Sequence, residues 1–185
     1  KGEHISITSF PGMPERTVLL NGCSKTYAMT GWRLGWAVIK SREMTQYLEQ
    51  LIINDVSCTA TMVQYAGMEA INGPQDSVEY MKAEYLKRRD LLVSLVREIP
   101  GMSCRVPPGA FYLFVNVKPI LQKLGIKAAE LSDKIMKEAN VVILPGTSFG
   151  IHGEGYIRFS YVSSEADIKE GLKRMKEYLA KIYQP

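Results

Sequence analysis

Lys25 stands in the run Gly22-Cys23-Ser24-Lys25-Thr26-Tyr27, and Arg33 follows eight positions later inside Gly31-Trp32-Arg33-Leu34-Gly35. A lysine amine attacks carbonyl carbon when it is neutral, so Schiff-base chemistry favours a lysine that is partly desolvated or set beside another cation. Arg33 supplies that second cation. Its planar fork also suits two-point binding of a phosphate, which an ammonium meets only as a point charge. Flanking glycines let backbone approach a ligand closely. A lysine that attacks a carbonyl beside an arginine that holds a phosphate points to a phosphorylated aldehyde as cofactor. The plain alternative is a lysine that is only a solvated surface charge.

Two strands must position this loop. Residues 17–20 form a short apolar run that ends at Asn21-Gly22, and residues 34–39 form another that stops at a polar turn. Apolar residues at three- and four-residue spacings predict helices over about 42–54 and 60–71, the second stopped by Asn72-Gly73-Pro74. A long amphipathic helix follows over about 76–98 and closes at Pro100-Gly101. Beyond it strands alternate with helices. Met102–Val106, Ala110–Val117, Val141–Leu144 and Gly155–Val162 read as strands, with helices over about 128–139 and 165–182. Ser164 is the candidate N-cap of the last helix. The expected class is α/β: the end of a larger α/β domain over 1–73, a connecting helix over 74–97, and a small α/β or α+β domain over 98–185.

Composition narrows the function without naming it. The chain has 185 residues, 46% hydrophobic and 23% charged, with a formal charge of +4 spread along its length. That balance suits a globular protein and gives no basic tract for nucleic acid. The three cysteines, Cys23, Cys58 and Cys104, lack metal-ligand spacing, and an odd count argues against a disulfide framework. The expectation is a cytoplasmic setting. No apolar run reaches the roughly 18 residues that span a bilayer, and His4 and His152 do not suggest a metal site.

Residues 22–35 resemble, position by position, the cofactor-attachment segment of the class I and II aminotransferases of fold type I, the aspartate and aromatic aminotransferases included. The resemblance implies pyridoxal 5'-phosphate bound through a Schiff base to Lys25, which also acts as the base, and a phosphate held by Arg33. Many members carry a serine three positions before the lysine, where this chain has Gly22. Ser24 is then either a hydroxyl for the cofactor or a small residue needed for packing. Pro107-Pro108-Gly109-Ala110-Phe111-Tyr112 is similar to a small-domain strand entry of the family, and Pro145-Gly146-Thr147-Ser148-Phe149-Gly150 to another of its segments. Neither is assigned chemistry, because a core strand and an ordinary turn account for them equally well.

Arg158 interrupts the apolar strand Gly155–Val162, where a charge is costly unless paired. A structural ion pair would explain it. The family pattern implies instead that it binds the substrate α-carboxylate. The resemblance covers the C-terminal half of a family member, and the aspartate, asparagine and tyrosine that hold the cofactor ring lie upstream of the lysine. The chain also begins at Lys1 rather than at methionine. The expectation is therefore an aminotransferase that moves an amino group from an aspartate-like or aromatic amino acid to a 2-oxo acid, as a homodimer. The 185 residues alone are expected to be an inactive part of it. A β-lyase or synthase using the same cofactor, and an aminotransferase-like sensor domain of a transcription regulator, are the alternatives.

Overall fold

A computed structural model describes residues 4–184. The chain divides into two compact units, Lys1–Tyr80 and Met81–Pro185.

In the first unit, β1 (Val18–Gly22) and β2 (Gly35–Ile39) form an antiparallel ribbon whose register runs from Val18↔Ile39 to Gly22↔Gly35. The lysine loop is the connection between these strands. Two helices follow, α1 (Arg42–Asp55) and α2 (Thr61–Asn72). Ser41 caps α1 by accepting the Met44 N–H at 3.2 Å, which satisfies a donor the helix cannot satisfy itself. The expected strand at 17–20 is present but is not buried, with Leu20 74% exposed. A two-stranded ribbon has only one ladder and covers neither of its faces by itself.

Helix α3 (Asp76–Arg97) begins in the first unit and lies mostly in the second, which holds the hydrophobic core. Four strands, β3 (Ser103–Cys104), β4 (Tyr112–Asn116), β5 (Leu144–Pro145) and β6 (Tyr156–Ser160), lie in the antiparallel order β3-β4-β6-β5. Period-two alternation turns Leu113, Val115, Ile157 and Phe159 inward, all buried. They pack in one core with Leu92, Val93 and Val96 of α3. The same core takes Leu131 and Ile135 of α5 (Ala128–Ala139) and Ile168, Leu172 and Met175 of α6 (Glu165–Ile182). Ser164 does cap α6, accepting the Asp167 N–H at 3.1 Å.

Three sequence expectations change here. The strand at Val141–Leu144 shrinks to Leu144–Pro145: Asn140 ends α5 in the left-handed region at φ 53°, and Val142 is 78% exposed. Pro145 cannot donate to a ladder, and β5 accordingly lies at the sheet edge. Met102–Val106 contributes only Ser103–Cys104 to the sheet. A short helix that the periodicity did not reveal, α4 (Lys118–Leu124), follows β4, with Pro119 in its first turn and Gly125 past its end at φ 64°. Its seven residues are too few for a period to stand out, although the proline and glycine were the available signals.

Tyr161 ties the entry of β4 to the core. It is 2% exposed and its hydroxyl donates to the Ala110 carbonyl at 2.8 Å, while its N–H donates to Phe111 O at 3.0 Å. Arg89 Nη1 adds a bond to Pro107 O at 3.2 Å. Burial, the largest influence, pushes the Tyr161 phenol above its ordinary 10.0. A group with a raised folded pKa contributes stability that is whole below the unfolded value and is lost as pH rises through the folded one. Tyr161→Phe should cost about 1–2 kcal/mol by stranding Ala110 O, and should flatten the fall in stability above about pH 10. Denaturant melts across the alkaline range check both.

Candidate active site

The lysine loop is built from a buried root and exposed functional groups. Cys23 is 0% exposed; its N–H donates to Leu34 O at 3.1 Å, and its carbonyl accepts the Tyr27 N–H at 3.2 Å. These bonds, with Ala28 N–H to Lys25 O at 3.3 Å, wind the chain into a tight turn that presents the exposed Lys25 outward. Ala28 takes φ 54° and Arg33 φ 55°, a left-handed conformation that L-residues adopt at a cost. Two such residues in one loop store backbone strain at this turn.

Arg33 follows the 3₁₀ turn Thr30–Trp32, and its Nη1 donates to Thr30 O at 2.9 Å. Among the described residues no carboxylate pairs with it. Ser24 is half-buried beside Cys23. Helix α2 packs closely behind: a Cβ built on Gly67 would lie 2.2 Å from Leu34 Cδ2, next to Arg33. Gly22 has a similar explanation. A Cβ there would stand 2.9 Å from the Leu34 carbonyl oxygen, a backbone atom that cannot swing away, so a serine does not fit this ribbon without moving it.

In the second unit Arg158 lies on the face of the sheet opposite the core, in register with Phe114 on one side and Leu144 on the other. It is half-buried, yet among the described residues it has neither a salt bridge nor a side-chain hydrogen bond. The structural ion pair considered from the sequence is therefore not what holds it. Its guanidinium carbon lies over two rings instead, 4.1 Å from the Tyr112 centroid and 3.9 Å from that of Phe149. Such contacts stabilise a cation by about 0.5–2 kcal/mol and use none of its N–H donors. A partly desolvated cation with its donors unspent is a site for an anion.

Tyr112 and Phe149 lie in segments that the sequence assigns no chemistry, and nothing in it marks them as neighbours of Arg158. Phe149 closes the 3₁₀ turn Gly146–Phe149, which returns against the sheet because two glycines touch. A Cβ on Gly153 would meet Gly146 O at 1.9 Å, and one on Gly146 would meet Gly153 O at 2.2 Å. Gly153→Ala should therefore cost about 1–3 kcal/mol or more in stability, read as a lowered thermal midpoint, since backbone must separate to admit the methyl.

The first unit carries an amine-bearing loop, and the second an arginine held by two rings. The family model described as aminotransferase class I and II matches residues 5–175, and the chain belongs to that family. It is 41% identical over 171 residues to an aspartate aminotransferase of Pyrococcus horikoshii, covering 90% of this chain and 42% of that one. A putative aminotransferase of Bacillus subtilis is 40% identical over 181 residues, covering 97% of this chain and 45% of that one. Among solved structures, an aromatic aminotransferase from Pyrococcus horikoshii superposes with a TM-score of 0.89 at 36% identity, over 97% of this chain and 47% of that chain. The chain thus spans a little under half the length of these relatives. The α/β fold is that of the C-terminal part of these aminotransferases. No helix among the described residues is long and apolar enough to cross a membrane.

Proposed function

We propose that the whole protein is a pyridoxal-phosphate-dependent aminotransferase that moves an amino group from an aspartate-like or aromatic amino acid to a 2-oxo acid. The observation that carries this is the 23–33 loop, which fixes an amine and a guanidinium on a strained backbone with a buried root. The donor set fits the group: an amine for an aldehyde, Arg33 for a phosphate, and the Ser24 hydroxyl beside them. We read residues 1–73 as the end of the cofactor-binding domain, 74–97 as the connecting helix and 98–185 as the small domain. A second copy of the chain is the expected partner, and the cytoplasm the expected location.

When bound, pyridoxal phosphate supplies the carbonyl that condenses with amines and the electron-withdrawing ring that acidifies the substrate Cα–H. Lys25 would hold that group through its side-chain amine. When not bonded to the group, Nζ would serve as a base for the substrate Cα proton. Arg33 would hold the phosphate of that group through its guanidinium donors and so help to orient it. Arg158 would bind the substrate α-carboxylate through its guanidinium donors. No residue of this chain matches the family's upstream ring-binding groups, so the 185 residues alone should transaminate little.

The test is borohydride reduction of the whole protein with pyridoxal phosphate, peptide mapping of the label, and assay of amino transfer between amino acids and 2-oxo acids. Label at Lys25 with transfer supports the reading. Release of ammonia without need of a 2-oxo acid favours the lyase, and binding without turnover favours the sensor.

A further inference from the structure

Arg158 has two ring neighbours from different elements, and each ring is itself braced. Tyr112, on β4, lies two positions from Phe114, the register partner of Arg158, and packs edge-on against Phe111 at 4.6 Å. Phe149 approaches Phe114 edge-on at 6.4 Å, and Phe114 stacks on Tyr156 at 5.2 Å and 19°. The Gly146–Gly153 contact holds the turn that carries Phe149. An arginine on a flat sheet face has four rotatable bonds and would sample many orientations, losing up to about 2 kcal/mol of rotamer entropy on ordering. Here that ordering is achieved before any ligand arrives.

We propose that Tyr112 and Phe149 are positioning residues for substrate binding: they hold the Arg158 guanidinium by its faces, so that its N–H edge is pre-set for two-point binding of a carboxylate. This rests on the assignment of Arg158 to the substrate carboxylate. Ring contact occupies the part of the guanidinium that makes no hydrogen bonds, and the rings displace water that would compete for the cation. Binding a carboxylate then needs little further loss of side-chain freedom.

The experiment uses the cofactor-loaded whole protein and two non-reacting carboxylates, succinate and phenylpropionate, which match the two donor classes. Phe149→Leu should raise the Kd of the bound carboxylate and the KM of the amino donor about tenfold, with kcat changed less than about twofold. Tyr112→Leu should do the same. Phe149→Trp and Tyr112→Phe, which keep a ring over the cation, should hold Kd within about twofold of the parent. Phe149 is 48% exposed, so its replacements leave the core intact. In an Arg158→Ala background the Phe149→Leu effect should vanish, because the ring acts through the arginine. An unchanged Kd in both leucine variants overturns the proposal, as does an equal rise with and without Arg158. If Arg158→Ala itself leaves Kd unchanged, the carboxylate assignment fails, and that outcome is read separately from the ring variants.

Discussion

Lys25→Ala should leave a protein that still takes up pyridoxal phosphate but no longer binds it covalently, and that transfers amino groups at least about 10³-fold more slowly. On the proposed assignment, one substitution removes both the nucleophile and the base. Its effect on folding should be within about 0.5 kcal/mol, because Lys25 is exposed and the turn around it is held by backbone bonds from Cys23 and Leu34. Loss of activity at unchanged thermal midpoint therefore separates chemistry from unfolding. Lys25→Arg sharpens the test: it keeps the positive charge, yet a guanidinium stays protonated and cannot attack a carbonyl. It should be as inactive as the alanine variant. Arg33→Ala should differ in kind, weakening uptake of the cofactor while leaving Lys25 able to form the covalent bond at high cofactor concentration. Borohydride labelling, cofactor titration and the thermal midpoint read the three behaviours apart. Retained labelling in Lys25→Ala would show that another amine holds the cofactor.

What was legible in the sequence follows the length scale of each signal. The lysine loop could be read because its chemistry-bearing residues lie within a dozen positions and its glycines mark close backbone approach at the Gly22↔Gly35 pair. Helices α1, α2, α3, α5 and α6 could be read because each spans enough turns for a period to emerge. The aromatic contacts of Arg158 could not. They join Tyr112 to Phe149 across more than thirty positions, and only the antiparallel register of β4, β6 and β5 brings them to one guanidinium. Alternation does show Tyr112 and Phe114 on the side away from Leu113 and Val115, but it cannot say which strand lies alongside. The exposure of Leu20 and Val142 escaped for a related reason: apolar type alone does not tell whether a neighbouring layer covers a strand.

Arg158→Met should cost the enzyme its substrate while costing the fold nothing. Methionine has nearly the same reach and packs against rings, so the contacts with Tyr112 and Phe149 survive in apolar form. What disappears is a half-buried cation without an anion among the described residues, whose desolvation opposes folding. Stability should therefore hold or rise, by up to about 1 kcal/mol. Catalysis should move the other way. Losing a charge-assisted, two-point bond to a carboxylate costs about 2–5 kcal/mol, which is a fall in kcat/KM of about 30-fold to more than 10³-fold, carried mainly by KM. Arg158→Lys should fall between, since an ammonium keeps the charge but neither the fork nor the flat face that the rings hold. The opposite signs make the comparison decisive: an arginine serving the fold would lower the thermal midpoint when removed, whereas one held for a ligand lowers only the affinity for carboxylates. Denaturant melts and steady-state kinetics on the parent and these two variants measure both.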